Sequence, residues 1–303
     1  MRETPVSIVI PCWNPDPQML AEAVESVLHQ THTKVEVLLV NDGSTDPASL
    51  HALDQWRARG TTVIDQSNRG PASARNTGIE AAAGPYILLL DHDDEILPTY
   101  AAKAARILDE HEQVGIVYCF AERFGEQSGV WNIGEFAMGR MLFGNQIFIT
   151  AMFRKEDWSA SKGFDESMRH GFEDHDFWLK ILALRSGVVR IPEVLFRYRY
   201  RGNSLTFQMS AEQKTAAYAR IFRNNISLYE QHAEDYISVR VGVWENLMHW
   251  KSRYGRIEDA LARMGAARNI LRARAQSLRS HFNSHVLQLK RAAGSHAKPR
   301  KGS

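Results

Sequence analysis

From Val6 to Leu90 the chain alternates short apolar, β-branched runs with amphipathic segments, and nothing else in it restricts the fold as tightly. Val6-Ser7-Ile8-Val9-Ile10 reads as a strand that ends at Pro11. A helix follows: Asp16 can cap it, Pro17 fits its first turn, and Leu20, Val24, Val27 and Leu28 recur at helical spacing. Val35 to Val40 is the next strand, stopped by Asn41-Asp42-Gly43-Ser44. A helix over 47–59 leads to a short strand at Thr62-Val63-Ile64, Gly70-Pro71 breaks the chain, and an alanine-rich helix spans Ala72 to Ala83. Tyr86 to Leu90 is then a continuous apolar strand. This rhythm predicts an α/β fold, a mostly parallel sheet flanked by helices, with ligands outside the carboxyl ends of the strands.

Two polar loops fall at such ends. Asn41 to Asp46 follows the second strand, and Asp91-His92-Asp93-Asp94 follows Leu90. Acids placed directly behind a buried strand are held ready for a ligand. Their oxygens suit a hard cation such as Mn²⁺ or Mg²⁺, which in turn binds a diphosphate. Taken alone, the four residues also read as an Asp-rich turn or cap. Beyond them the pattern predicts a helix over 99–111, a strand from Val114 to Phe120, and loops and extended pieces over 125–150. A further helix carries Glu173-Asp174-His175-Asp176 in its first turn, and the pattern is helical from about Ala211 to near the end.

Composition removes several classes. The net charge is +2, so no overall field favours nucleic acid. Cys12 and Cys119 are the only cysteines, which excludes a disulfide framework and a multi-cysteine zinc site. A strand beginning at Val6 leaves no room for a signal peptide, and the apolar runs are far below the roughly 20 residues of a membrane span. These features predict a cytoplasmic protein. The first strand is followed by Pro11-Cys12-Trp13-Asn14, not by the glycine-rich turn of a dinucleotide-binding oxidoreductase or the glycine-rich basic loop of a nucleotidyltransferase.

Six segments occur in order over residues 6–206: Val6 to Asn14, Val40 to Asp46, Asn68 to Gly78, Asp91 to Asp94, Gly163-Phe164-Asp165-Glu166, and Glu173-Asp174. Together they resemble the inverting nucleotide-sugar glycosyltransferases of family 2, which have the GT-A fold. The resemblance implies a GT-A domain over 1–210, with nucleotide-sugar binding in about 1–98 and the acceptor and catalytic part in about 99–210, followed by a helical region over 211–303. Pro11, Trp13, Asn14 and Asp42 match the nucleobase pocket, where a ring can flank a base and a carboxylate can accept its imide N–H. Arg75 matches a contact to the base or diphosphate, Asp91 and His92 the ribose contacts, and Asp93 with Asp91 the metal site. Asp94 is expected to cap the next turn. Glu173-Asp174 matches the catalytic acids, with Asp174 the first choice as base and Glu173 the second. The plainer reading is that both acids favour a helix N-terminus through its dipole.

The implied activity is metal-dependent, inverting transfer of a sugar from a nucleotide-diphosphate donor, a UDP-sugar first among them. The acceptor would be a hydroxyl of a glycan or lipid-linked molecule in cell-surface polysaccharide synthesis. A degenerate relative that binds a nucleotide or a partner without turnover is the alternative. Two departures stand out: Arg201 stands where the family often has a histidine, and a guanidinium grips phosphate but cannot ligate a cation. Residues 121–150 offer no motif for the sugar or acceptor.

Near the C-terminus Leu271, Leu278, Phe282, Val286 and Leu289 share one helical face, and no acid occurs from Arg268 onward. Such a basic amphipathic helix can lie on the inner face of the cell membrane or join two copies as a homodimer.

Overall fold

The computed structural model describes residues 3–131, 133–169, 171–201, 209–253 and 263–265. The alternation becomes β1 (Val6–Cys12), α1 (Pro17–Leu28), β2 (Val35–Asp42), α2 (Pro47–Ala58), β3 (Thr62–Gln66), α3 (Pro71–Ala81) and β4 (Tyr86–Leu89). The expected cap forms, with Asp16 Oδ1 accepting from the backbone N–H of Gln18 and Met19 at 2.9 and 3.0 Å, and the structure adds a second at α2, where Asp46 Oδ2 accepts from Ser49 N at 2.8 Å. All seven residues of β1 are buried, so both faces of this strand are covered, as its unbroken apolar run requires.

The second part adds β5 (Glu95–Ile96), α4 (Tyr100–Glu110), β6 (Val114–Gly125), β7 (Gly129–Trp131), α5 (Met138–Phe143), β8 (Met152–Arg154), α6 (Lys155–Ala160), α7 (Glu173–Leu184) and β9 (Gly187–Tyr200). Two helices follow, α8 (Ala211–Asn224) and α9 (Ile226–Gln231). The strands form one sheet in the order β3-β2-β1-β4-β8-β6-β9-β5, with β7 paired to β6. The first four run parallel, but β8 is antiparallel to both β4 and β6, and β5 is antiparallel to β9. The sheet is therefore mixed, more so than the repeating crossovers of the first 90 residues predict. Residues 125–150 are not all loop either: β7 closes a hairpin on β6, and α5 is a helix of six residues.

Gly78 shows how tightly α3 lies on the sheet. A Cβ there would overlap Val9 Cγ1 and stand 2.9 Å from Val40 Cγ2. Gly78→Ala is expected to destabilise by about 1–3 kcal/mol through overpacking, despite alanine's better helix propensity. A lowered urea midpoint would show it; an unchanged one would mean that α3 can shift outward at no cost.

Contacts divide the chain into two compact units, Met1–Val239 and Arg240–Ser303. The first includes α8 and α9. Arg220 Nε and Asn224 Nδ2 on α8 donate to Asp165 Oδ2, and the side-chain amides of Asn224 and Asn225 both donate to Asp176 Oδ1 at 3.0 Å. In the second unit residues 240–253 and 263–265 are helical. The amphipathic helix expected around 271–289 lies outside the described residues. Among the described residues no helix is long and apolar enough to cross a membrane.

Candidate active site

Strands β2, β1 and β4 lie side by side and run the same way, with Cys12 opposite Asn41 and Val9 opposite Leu89. The chain builds β2 and β3 on one side of β1, then crosses to place β4 on the other. Trp13, the loop 41–46 and the acids 91–94 thus leave from one edge at the switch point, where α/β folds bind ligands.

Trp13 is 57% exposed, so it is not a core residue. Its neighbour Asn14 has a left-handed backbone (φ 45°) and clips the first two loops together. Asn14 Oδ1 accepts from Thr45 N and Asp46 N at 2.7 and 3.0 Å, while its own N–H donates to Ser44 Oγ at 2.9 Å. Asp42 is buried and accepts from Gln66 Nε2, Arg69 N and Gly70 N at 2.7, 2.9 and 2.8 Å. Both residues are expected in a base pocket, and here their polar atoms hold neighbouring loops together. Pro11 is buried in β1, and its carbonyl oxygen lies 3.2 Å from His92 Nδ1.

Arg75, expected to contact the donor, reaches two acids of this chain. It is 4% exposed and lies between two acids, with Nη2 donating to Asp91 Oδ1 at 2.8 Å and Nη1 to Glu173 Oε1 at 2.6 Å. The close seating of α3 on β1 and β2 keeps this guanidinium inside. Its Nε and Glu173 Oε2 are buried without hydrogen-bond partners.

Asp93 pairs with the exposed Arg201. Asp94 does not cap the turn that follows it. It is buried and accepts from Arg199 N at 2.7 Å, and burial, then the neighbouring Asp93 and Asp91, push its carboxyl well above the usual range. Arg199 also donates from Nε to the Asp93 carbonyl at 2.7 Å and pairs with Glu22 and Glu95. Arg197, Arg199 and Arg201 alternate along the end of β9, so one face of that strand carries a row of cations against the acids 93–95.

Among the described residues no group of three or more His, Cys, Asp or Glu side chains could hold a metal ion. Asp91 and Asp93 are nevertheless both partly exposed, at 33% and 17% of their side chains. A hard cation shared with a diphosphate needs only one or two protein carboxylates, so these residues fit a cation completed by substrate oxygens.

The two candidate bases have different surroundings. Glu173 is buried on Arg75. Asp174 is half-buried: its Oδ2 accepts from Asn145 Nδ2 and its Oδ1 from His175 N, both at 2.8 Å. Burial, then the charge of Glu173, pushes its carboxyl up to about 7. An acid serving only the helix dipole would be held low instead. His175 and Asp176 face inward: the imidazole Nε2 lies 2.7 Å from the Met141 carbonyl oxygen, and Asp176 takes Lys180 Nζ at 2.8 Å.

Asn145 and Arg199 were not singled out by the sequence. Asn145 lies in a stretch with no periodicity, and only the fold shows its contact with Asp174. The Arg-x-Arg-x-Arg alternation over 197–201 is a readable strand signal that points Arg199 to the same face as Arg201.

The profile described as Glycosyl transferase family 2 matches residues 7–168. The chain is 33% identical over 220 residues to the uncharacterized glycosyltransferase EpsJ of Bacillus subtilis, covering 66% of this chain and 62% of that one. It is 28% identical over 223 residues to the glycosyltransferase GlyG of Streptococcus pneumoniae, covering 66% and 72%. It also matches 14% of the uncharacterized protein y4gI of Sinorhizobium fredii, at 36% identity over 124 residues that make up 40% of this chain. The chain thus spans less than two thirds of the y4gI and EpsJ sequences. Among solved structures, residues 1–349 of S. aureus TarS superpose with a TM-score of 0.61 at 20% identity, covering 77% of this chain and 70% of that one. TarS 1-349 in complex with UDP-GlcNAc gives 0.59 at 19% identity, covering 75% and 72%. At such identities the likeness is one of fold.

Proposed function

This chain belongs to glycosyl transferase family 2, and on that footing we propose that it is an inverting, nucleotide-sugar-dependent glycosyltransferase with Asp174 as its general base. The carrying observation is the Arg75 bridge. It draws Asp91 and Glu173 together and engages Glu173, leaving Asp174 as the member of the catalytic pair that is half-open and poised near neutral pH.

In this reading the acceptor hydroxyl stands at Asp174. Its proton passes to the Asp174 carboxylate as its oxygen attacks the anomeric carbon, and the bond to the nucleoside diphosphate breaks on the opposite face, inverting the centre. Trp13 supplies an exposed ring for the base, and the loops held by Asn14 and Asp42 wall the pocket. Asp93 with Asp91 would hold Mn²⁺ or Mg²⁺, which supplies Lewis-acid neutralisation of the departing diphosphate. Arg201 stands at the same place and can release Asp93 to grip a phosphate. The complexes of TarS with UDP and UDP-GlcNAc support a uridine donor. A glycan or lipid-linked acceptor in cell-surface polysaccharide synthesis completes the proposal, with membrane or homodimer contacts assigned to the C-terminal region.

The test is a thermal-shift screen of nucleotide sugars with and without Mn²⁺. A donor at about 100 times its Kd adds about 2.7 kcal/mol of stability, which for a unit of this size is a shift of roughly 5–10 °C. UDP-GlcNAc or another UDP-sugar is expected to give it. No shift from any nucleotide sugar would overturn the proposal.

A further inference from the structure

The residue before the catalytic pair is strained. Phe172 precedes α7 with φ 65° and ψ 8°, a left-handed conformation that a bulky side chain adopts only when its surroundings impose it. Its ring packs against α8. The Phe172 and Tyr218 rings lie 5.0 Å apart and tilted by 45°, and Tyr218 meets the buried His175 edge-on at 6.1 Å. Tyr218, like Phe172 and Asp174, lies beyond residues 7–168, which the family profile matches.

This aromatic pair is not closed over. Phe172 is half-buried and Tyr218 is 37% exposed. The pair is also next to Asp174: burial first, and then the negative charge of Asp174, raises the Tyr218 phenol above its ordinary value. α8 is held there by bonds from Arg220 and Asn224 to Asp165 and from Asn224 to Asp176, so the position of Tyr218 is fixed by packing and polar contacts together. Asn145 Nδ2 also donates to Asp174 Oδ2, at 2.8 Å.

We infer that Tyr218 and Phe172 form a platform for a pyranose ring of the acceptor, whose C–H face lies on the aromatic rings while one hydroxyl reaches Asp174. The inference rests on Asp174 as the base and adds the acceptor class and a contribution from α8. The chemistry selects a sugar. An open aromatic surface takes the apolar face of a pyranose, while a carboxylate and a primary amide take its hydroxyls. A phosphate at the same place would be repelled by Asp174 and Glu173, and an acyl chain would offer nothing to the hydrogen-bonding capacity that Asp174 and Asn145 keep beyond their mutual bond.

Saturation-transfer NMR with methyl glucoside, galactoside, mannoside, rhamnoside and N-acetylglucosaminide tests this, each measured with and without UDP. At least one pyranoside is expected to receive saturation on its ring C–H protons. The signal should persist in Tyr218→Phe and fall by about fivefold in Tyr218→Ala, the equivalent of losing one aromatic contact. Tyr218→Leu, which keeps apolar volume without a ring face, should lose it as well and serves if the alanine variant does not fold. A UDP-induced thermal shift in each variant shows that the donor site is intact. The platform is overturned if no pyranoside responds in the native protein, or if the response survives in both Tyr218→Ala and Tyr218→Leu. Absence of a UDP shift in the native protein would instead count against the donor reading.

Discussion

Replacing Asp174 by asparagine is expected to lower the turnover of sugar transfer by about 10²–10⁴-fold, the usual contribution of a general base. The same substitution should make the protein more stable at pH 8. The Asp174 carboxyl titrates near 7 in the folded chain, raised by burial and then by Glu173, against an ordinary value of 3.8. A group raised by folding contributes stability that is present in full at low pH. That contribution fades between about pH 4 and pH 7 as the unfolded chain ionises and the folded one resists. Asparagine carries no such penalty. After allowance for partial exposure the gain at pH 8 is of order 1–2 kcal/mol, or roughly 2–8 °C in Tm. At pH 4 the two proteins should melt together. Loss of activity with a higher melting point separates a strained functional acid from a structural one, because removing a structural acid would lower both. An unchanged rate would reject Asp174 as the base.

Arg75→Met is expected to produce the largest loss of stability. It leaves Glu173 buried and Asp91 partly buried with no counter-charge, and breaking such a pair costs about 3–5 kcal/mol. For a unit of this size that lowers Tm by roughly 6–20 °C. Adding Glu173→Gln removes one of the stranded charges and should recover part of the loss, so the double variant melts above Arg75→Met alone. If the losses instead add, Arg75 and Glu173 do not interact in solution. Activity should fall in Arg75→Met as well, since the bridge sets the distance between the acid loop after β4 and the first turn of α7.

The sequence exposes the first 98 residues well for a physical reason. Strands covered on both faces must be continuously apolar, and their connecting helices must be amphipathic, so β1, β2 and β4 and the cap at Asp16 are readable without a structure. The second part hides its elements. β8 has three residues and α5 six, too few to show a period, and β9 interleaves arginines with apolar residues because one of its faces meets acids. The acids 91, 93, 173 and 174 are legible as residue types at a strand end and a helix start. Their division of labour is not, because it depends on Arg75 reaching across 98 positions of chain to Glu173. Asn145 and Tyr218 carry no local signature, and only tertiary packing brings them to Asp174.

The most direct measurement is the pH dependence of kcat for transfer from the donor that the thermal screen identifies. The account predicts a single acidic limb with a midpoint near 7, below which the rate falls about tenfold per pH unit. In Glu173→Gln that midpoint should move to lower pH, because a neighbouring negative charge has gone. A rate that stays level from about pH 5 to about pH 8, on both sides of the Asp174 midpoint of about 7, would contradict the assignment of Asp174 as the group that takes the proton.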